Sequence, residues 1–278
     1  MIEDEVGIGL VRPDLLGTYG DVGNAVVLAQ RLNWRDVPAR IVPLGPGAAI
    51  PPEVRVMVIG GGEDRALVAL LADHQLMANV VDAIDRGVAV LAICAGLQIL
   101  GKRLIGPHGI VTDGLGVLDC VSDRLERRAV GECLVRRGSV GRAVSGAGGS
   151  AAVGGDPDAV LLTGFENHRG NTTVGPGAEP LGRVELGVGN GDGTDGAVSG
   201  KVIATYLHGP VLARNPALAD RLLESVLGPL APLPLPVVDR LHAERLAAAP
   251  LERREADGEA GIGQWTDRAR RRLARRTV

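Results

Sequence analysis

Through the first third of the chain, short apolar runs alternate with stretches of helical period. Residues 6–11 (VGIGLV), 39–44 and 54–59 are brief runs rich in β-branched and apolar residues, bounded by turn chemistry, and read as strands. Residues 88–94 (VAVLAIC) form a run of the same kind that stops at Cys94. Between the first two, Ala25, Val26, Leu28 and Leu32 make a helical stripe that Asn24 would cap. One helix is expected over 66–86, and another opens at Leu97 directly after Ala95 and Gly96. Strand and helix alternate, which predicts an α/β fold with a mostly parallel central sheet flanked by helices. Such sheets bind ligands at the carboxyl ends of their strands. The run GGGEDR (60–65) and Cys94 both fall at strand ends, so they are expected to be neighbours.

The pattern then changes. Residues 112–119 read as a turn plus short strand, 124–128 as a charged stretch and 131–135 as a strand. Residues 138–155 are Gly-, Ser- and Ala-rich without periodicity, the composition of a flexible surface insertion. Strands are expected at 159–165, 183–188 and 201–206, a Gly/Asp-rich turn at 187–200, and an amphipathic helix over 217–227. The run PLAPLPLP (229–236) reads as a stiff linker before a short helix at 238–248. The tail 264–278 holds six arginines and Trp265, read as a solvated or disordered end, or else as a docking segment for an acidic partner. The chain thus divides into a main domain, 1–228, and an appendage, 229–278.

Composition narrows the picture. The 278 residues are 45% apolar but only 2% aromatic, so the core must be built from Val, Leu, Ile and Ala. A net charge of −3 argues against general nucleic-acid binding. No apolar run reaches membrane-spanning length, and the N-terminus lacks a basic-then-apolar signal. Cys94, Cys120 and Cys133 are odd in number and lack C-x-x-C spacing, so no metal site and a reducing cytoplasm are expected.

A cysteine between a strand end and a helix start sits on a tight turn, where N–H groups and the helix dipole lower a thiol pKa. The competing reading of Cys94 is a buried apolar filler. A cysteine nucleophile needs a base and donors for an oxyanion. His74 and His242 lie in polar helical stretches, and His108 lies in a turn. In YLHGP (206–210), His208 follows a buried strand and is the leading base, with His168 in reserve. The oxyanion donors would be the N–H of Ala95 and one from Gly61 or Gly62, since glycine admits close backbone approach. A plain strand-to-helix turn is the alternative reading of that glycine run.

The segments IGGG (59–62), ICAGLQ (93–98) and YLHG (206–209) resemble the class I glutamine amidotransferases, most closely the cobyric acid synthase-type branch. Within that branch YGDVGN (19–24), GGGEDR (60–65), GLGVLD (114–119), GFENH (164–168) and TYLHGP (205–210) are similar to the GatD-type glutaminase subunits of lipid II isoglutaminyl synthases, over roughly residues 6–227. The resemblance implies the flavodoxin-like amidotransferase fold and L-glutamine as substrate. Cys94 would attack the side-chain amide, with His208 taking the thiol proton and passing it to departing ammonia. A glutamyl thioester would form and be hydrolysed, and the Gly61 and Ala95 amides would hold both oxyanions. Gln98 would lie near the site, and Arg128 would bind the glutamine carboxylate, a task suited to a guanidinium fork, with Arg124 and Arg127 as adjacent alternatives. Two positions depart from the wider class. Ala92 stands where many members have Gly, and Pro210 stands where many have the Glu that completes the triad. Asp21 is the candidate for orienting His208 in its place.

Amidation of a carboxylate needs activation, and the chain has no G-x-x-x-x-G-K-[ST] loop. The amidotransferase pattern begins near residue 1, so the synthetase is expected on a separate chain. The resemblance implies a MurT-like Mur ligase as heterodimer partner, which would carry ATP and Mg and amidate the D-glutamate of lipid II at the inner membrane face. No cofactor is expected in this chain. The alternatives are a glutaminase subunit for another ATP-dependent amidation, such as that of a corrin precursor, and a catalytically silent regulatory subunit.

Overall fold

The structure is a computed structural model that describes residues 5–17, 19–106, 109–138 and 160–258, the last ten without their side chains. His108, the glycine-rich stretch beyond Gly138 and the arginine-rich tail lie outside the described residues. The first half runs β1 (Val6–Val11), α1 (Val22–Asn33), β2 (Ala39–Leu44), β3 (Val54–Ile59), α2 (Asp64–Leu71), α3 (His74–Asp85), β4 (Ala89–Ile93) and α4 (Ala95–Leu100). The second half runs β5 (Arg103–Ile105), β6 (Val111–Asp113), β7 (Cys120–Arg137), β8 (Val160–Val174), β9 (Gly182–Leu186), β10 (Thr194–Asp195), β11 (Ala197–Ser199), β12 (Val202–Thr205), α5 (Val211–Arg214), α6 (Pro216–Leu227) and α7 (Pro236–Gly258).

The central sheet has the order β11-β12-β4-β3-β1-β2. All its pairs are parallel except the edge pair of β11 with β12. Reading β12 as the fifth strand, the order 2-1-3-4-5 is the flavodoxin-like one, with its switch point between β1 and β3. Strands β1 and β4 are buried along their whole length because helices cover both faces of the sheet. On one face α1 buries Ala25, Leu28 and Leu32, and α6 adds Leu218, Leu222 and Leu223. Each such leucine taken fully out of water contributes about 1.5–3 kcal/mol.

Three departures from the sequence reading have local causes. The stretch expected as one helix over 66–86 is two, α2 and α3, bent by 81°. Asp73 starts the second by accepting the Leu76 N–H at 3.1 Å. Asn24 does not cap α1. It lies inside the helix, and its Oδ1 accepts the Leu212 N–H at 2.9 Å, binding α1 to α5. The middle of the chain forms a second six-stranded sheet, in which β7 and β8 are antiparallel partners much longer than the short strands expected there. The charged stretch at 124–128 belongs to β7, whose register breaks between Arg124 and Ala129. A bulge of this kind re-aims side chains and erases simple alternation. No single helix among the described residues is long and apolar enough to cross a membrane.

Candidate active site

Cys94 occupies the turn between β4 and α4 with φ +51° and ψ −99°. Positive φ in a non-glycine residue costs about 1–3 kcal/mol and persists where the surroundings impose it. Here the Cys94 N–H donates to Thr205 O at 2.9 Å, and α4 starts at the next residue. A β-carbon on Gly96 would lie 2.7 Å from Ile59 O, so only glycine lets α4 pass this close to the end of β3. The thiol is buried, and burial first, then the charge of Asp21, pushes its pKa up from an ordinary 9.0 to about 12. The Ala95 N–H and the Arg128 charge act in the opposite sense. The expected lowering of the thiol is therefore reversed, because a six-residue helix does not outweigh desolvation.

His208 follows β12, and its Nδ1 lies 3.0 Å from Asp21 Oδ2 and 3.2 Å from Oδ1, with both side chains buried. A carboxylate at Nδ1 makes that nitrogen the protonated one and leaves Nε2 as the acceptor. Nε2 is buried and has no hydrogen-bond partner among the described residues. Asp21 stands in the loop between β1 and α1, so the order of β1, β3, β4 and β12 brings it to the same sheet end as Cys94 and His208.

Gly61 is the backbone between them. A β-carbon there would sit 2.6 Å from His208 Cε1, 3.0 Å from Asp21 Oδ2 and 3.4 Å from Cys94 Cβ. Its N–H, expected as an oxyanion donor, is instead given to Asp21 Oδ2 at 2.9 Å. The carboxylate is the stronger acceptor, and it captures this donor. Among the described residues the Gly62 N–H has no acceptor, so the alternative donor in the glycine run is the unengaged one.

Arg128 reaches across from β7. Its Nε donates to Asn167 Oδ1 at 2.6 Å and its Nη2 to the Tyr19 hydroxyl at 2.9 Å. Arg124 is turned to Asp64, at 3.0 Å. Gln98 lies one helical turn from Cys94, but its amide faces the Tyr206 hydroxyl at 3.5 Å. His168, the reserve base, is engaged by other groups. It lies within β8, stacked on Tyr206 with ring centroids 3.9 Å apart, its Nδ1 3.0 Å from Gly170 O. Two contributors were not singled out from sequence. The Tyr19 ring packs against the His208 imidazole at 4.7 Å. Asp195, in a turn-like stretch, accepts from the Thr205 hydroxyl and the Tyr206 N–H, and so braces the strand end that carries His208. Tyr19 opens the YGDVGN segment, but its packing on His208, like the bonds from Thr205 and Tyr206 to Asp195, exists only in the folded chain. The described residues contain no cluster of three or more metal-ligating side chains.

The CobB/CobQ-like glutamine amidotransferase domain family matches residues 7–216. The Staphylococcus aureus (strain N315) protein named lipid II isoglutaminyl synthase (glutamine-hydrolyzing) subunit GatD is 31% identical over 253 residues, 90% of this chain and 88% of that protein. Its Streptococcus pneumoniae namesake is 30% identical over 230 residues, 80% of this chain and 81% of the relative. A probable cobyric acid synthase of Methanothermobacter thermautotrophicus is 33% identical over 214 residues, 74% of this chain but 38% of that longer protein. A solved glutamine amidotransferase structure superposes with a TM-score of 0.52 at 23% identity, covering 79% of this chain and 98% of its own, a likeness of fold. The family match spans the Cys94 turn, the glycine run and the His208 strand end alike, and the chain belongs to the CobB/CobQ-like glutamine amidotransferases.

Proposed function

We propose that this chain is the glutaminase subunit of a lipid II isoglutaminyl synthase, with Cys94 as nucleophile, His208 as base and Asp21 as the group that orients the base. The observation that carries the chemistry is the unpartnered, buried Nε2 of a histidine whose Nδ1 is held by a buried carboxylate. Near-full-length likeness to proteins named as GatD subunits carries the choice of pathway.

Cys94 rests as a thiol, so attack begins with proton transfer to His208 Nε2. The imidazolium that forms is stabilised by Asp21. As sulfur bonds to the glutamine side-chain carbonyl carbon, the carbonyl oxygen takes the electron pair and is held by the Ala95 and Gly62 N–H groups. His208 returns its proton to the amide nitrogen, the C–N bond breaks and ammonia leaves a thioester. Water, deprotonated by His208, adds to the thioester. The C–S bond then breaks, and glutamate departs as the thiol is restored. Arg128 pairs with the α-carboxylate of the substrate.

The ammonia goes to a separate Mur-ligase-like subunit, MurT, in a heterodimer. That partner holds ATP and Mg and amidates the D-glutamate of the lipid II stem peptide at the cytoplasmic face of the membrane. The test is glutamate release by the purified chain, alone and with such a ligase, alongside mass spectrometry of lipid II. Amidated lipid II that requires both chains, and is lost in Cys94→Ala, is the expected result. Lipid II left unamidated by the pair sinks the reading. The likeness to cobyric acid synthase favours a second reading, amidation of a corrin precursor, which the same assay with a corrin acceptor separates.

A further inference from the structure

The loop between β1 and α1 supplies Asp21 to one edge of His208, and two residues earlier it supplies Tyr19 to the ring's face. The two rings meet at 4.7 Å with their planes tilted by 59°. The hydroxyl of Tyr19 accepts from Arg128 Nη2 at 2.9 Å and donates toward Glu63 Oε1 at 3.3 Å. Burial raises the Tyr19 pKa, which keeps the hydroxyl neutral and able to do both. On its other side the Arg128 fork is tied by Nε to Asn167. The guanidinium is thus fixed at two points, while its side chain remains 42% exposed and Nη1 has no acceptor among the described residues. Glu63 lies 3.9 Å from Nη2 and is itself 64% exposed, a weakly held carboxylate at the rim of the clamp.

We propose that Tyr19 is a positioning residue that couples the carboxylate clamp to the base, and thereby selects free glutamine, with an open α-carboxylate, over glutamine blocked at that group. The proposal rests on the glutaminase reading above. Arginine is long and loses much rotamer freedom when ordered. A rigid aromatic with two torsions orders it at little cost of its own, and the same ring packs on the imidazole. The clamp is ordered before substrate arrives, so a substrate blocked at its α-carboxyl forfeits a preformed ion pair, and loss of the Tyr19 hydroxyl loosens the clamp while the ring still packs on His208.

The test uses the full chain. In a Cys94→Ser background, L-glutamine binding is measured by calorimetry with and without Tyr19→Phe. With Cys94 intact, glutamate release is followed for Tyr19→Phe and Tyr19→Ala, with glutamine and with its α-amide. Tyr19→Phe keeps the ring and loses the hydroxyl. It is expected to raise Kd and KM for glutamine about tenfold, to leave kcat within about threefold, and to erode the preference over the α-amide by a similar factor. Tyr19→Ala also removes the ring, and is expected to lower kcat as well and to move the acid limb of the pH profile. Wild-type Kd, KM and preference in a folded Tyr19→Phe overturn the proposal while leaving the glutaminase reading intact. If the wild type neither hydrolyses nor binds glutamine, both fall together.

Discussion

Asp21 Oδ2 lies 3.0 Å from Nδ1 of His208, a contact that spans 187 residues of sequence. The same oxygen accepts the Gly61 N–H at 2.9 Å. One carboxylate thus sets the tautomer of the histidine and pins the glycine run beside the thiol.

Replacing Asp21 by Asn keeps the size but offers an N–H to Nδ1, which favours the tautomer with the proton on Nε2. Glutamine turnover by Asp21→Asn is expected to fall by about 10²–10⁴-fold, with the fold retained by circular dichroism. Unchanged kcat would remove Asp21 from the reacting group.

Gly61→Ala places a methyl 2.6 Å from His208 Cε1 and 3.0 Å from Asp21 Oδ2, with Cys94 Cβ 3.4 Å away. We expect loss of turnover and a stability decrease of about 1–3 kcal/mol in urea melts, the usual cost of overpacking. Gly45→Ala is the control, because nothing lies within 4 Å of its added carbon, and a change within about 0.5 kcal/mol is expected there.

The Cys94 thiol, pushed up to about 12, makes a pH-dependent prediction. Alkylation by iodoacetamide should be far slower than for an exposed cysteine at neutral pH and rise about tenfold per pH unit between 7 and 10, without a plateau. A plateau near neutrality would show a thiolate at rest. The folded pKa lies above the ordinary 9.0, so the stability difference between wild type and Cys94→Ala is constant below pH 9 and shifts against wild type as pH rises toward 12.

Burial raises Asp195 to about 6, against bonds from Thr205 and the Tyr206 N–H that lower it. Its folded value lies above the ordinary 3.8, so its contribution to stability is intact below about pH 4 and is lost as pH climbs toward 6. The stability of wild type relative to Asp195→Asn should therefore fall by up to about 3 kcal/mol across that window and stay flat above it. Urea unfolding at pH 4, 5, 6 and 7 reads this directly, and a pH-independent difference would contradict it.

The bounds of β1 and β3 coincide with apolar runs in the chain, because strands covered on both faces carry a signal that needs no partner to be read, and those of the half-exposed edge strand β2 with the run at 39–44. The places of Cys94 and His208 after such strands were legible for the same reason. The long strands β7 and β8 were not, since a bulge interrupts their alternation and charged side chains point out of it. Nor was the helix break at Asp73, which turns on one side-chain cap. By itself the sequence determined the α/β class, the placing of the glycine run, Cys94 and His208 at strand ends, and the residues able to do thiol chemistry. Tertiary structure alone decided that Gly61 gives its N–H to Asp21, that the Cys94 thiol is raised, and that Tyr19 joins Arg128 to His208. Local periodicity records which face of an element is buried. Hydrogen-bond partners and desolvation depend on which loops the strand order β2-β1-β3-β4-β12 gathers at one edge.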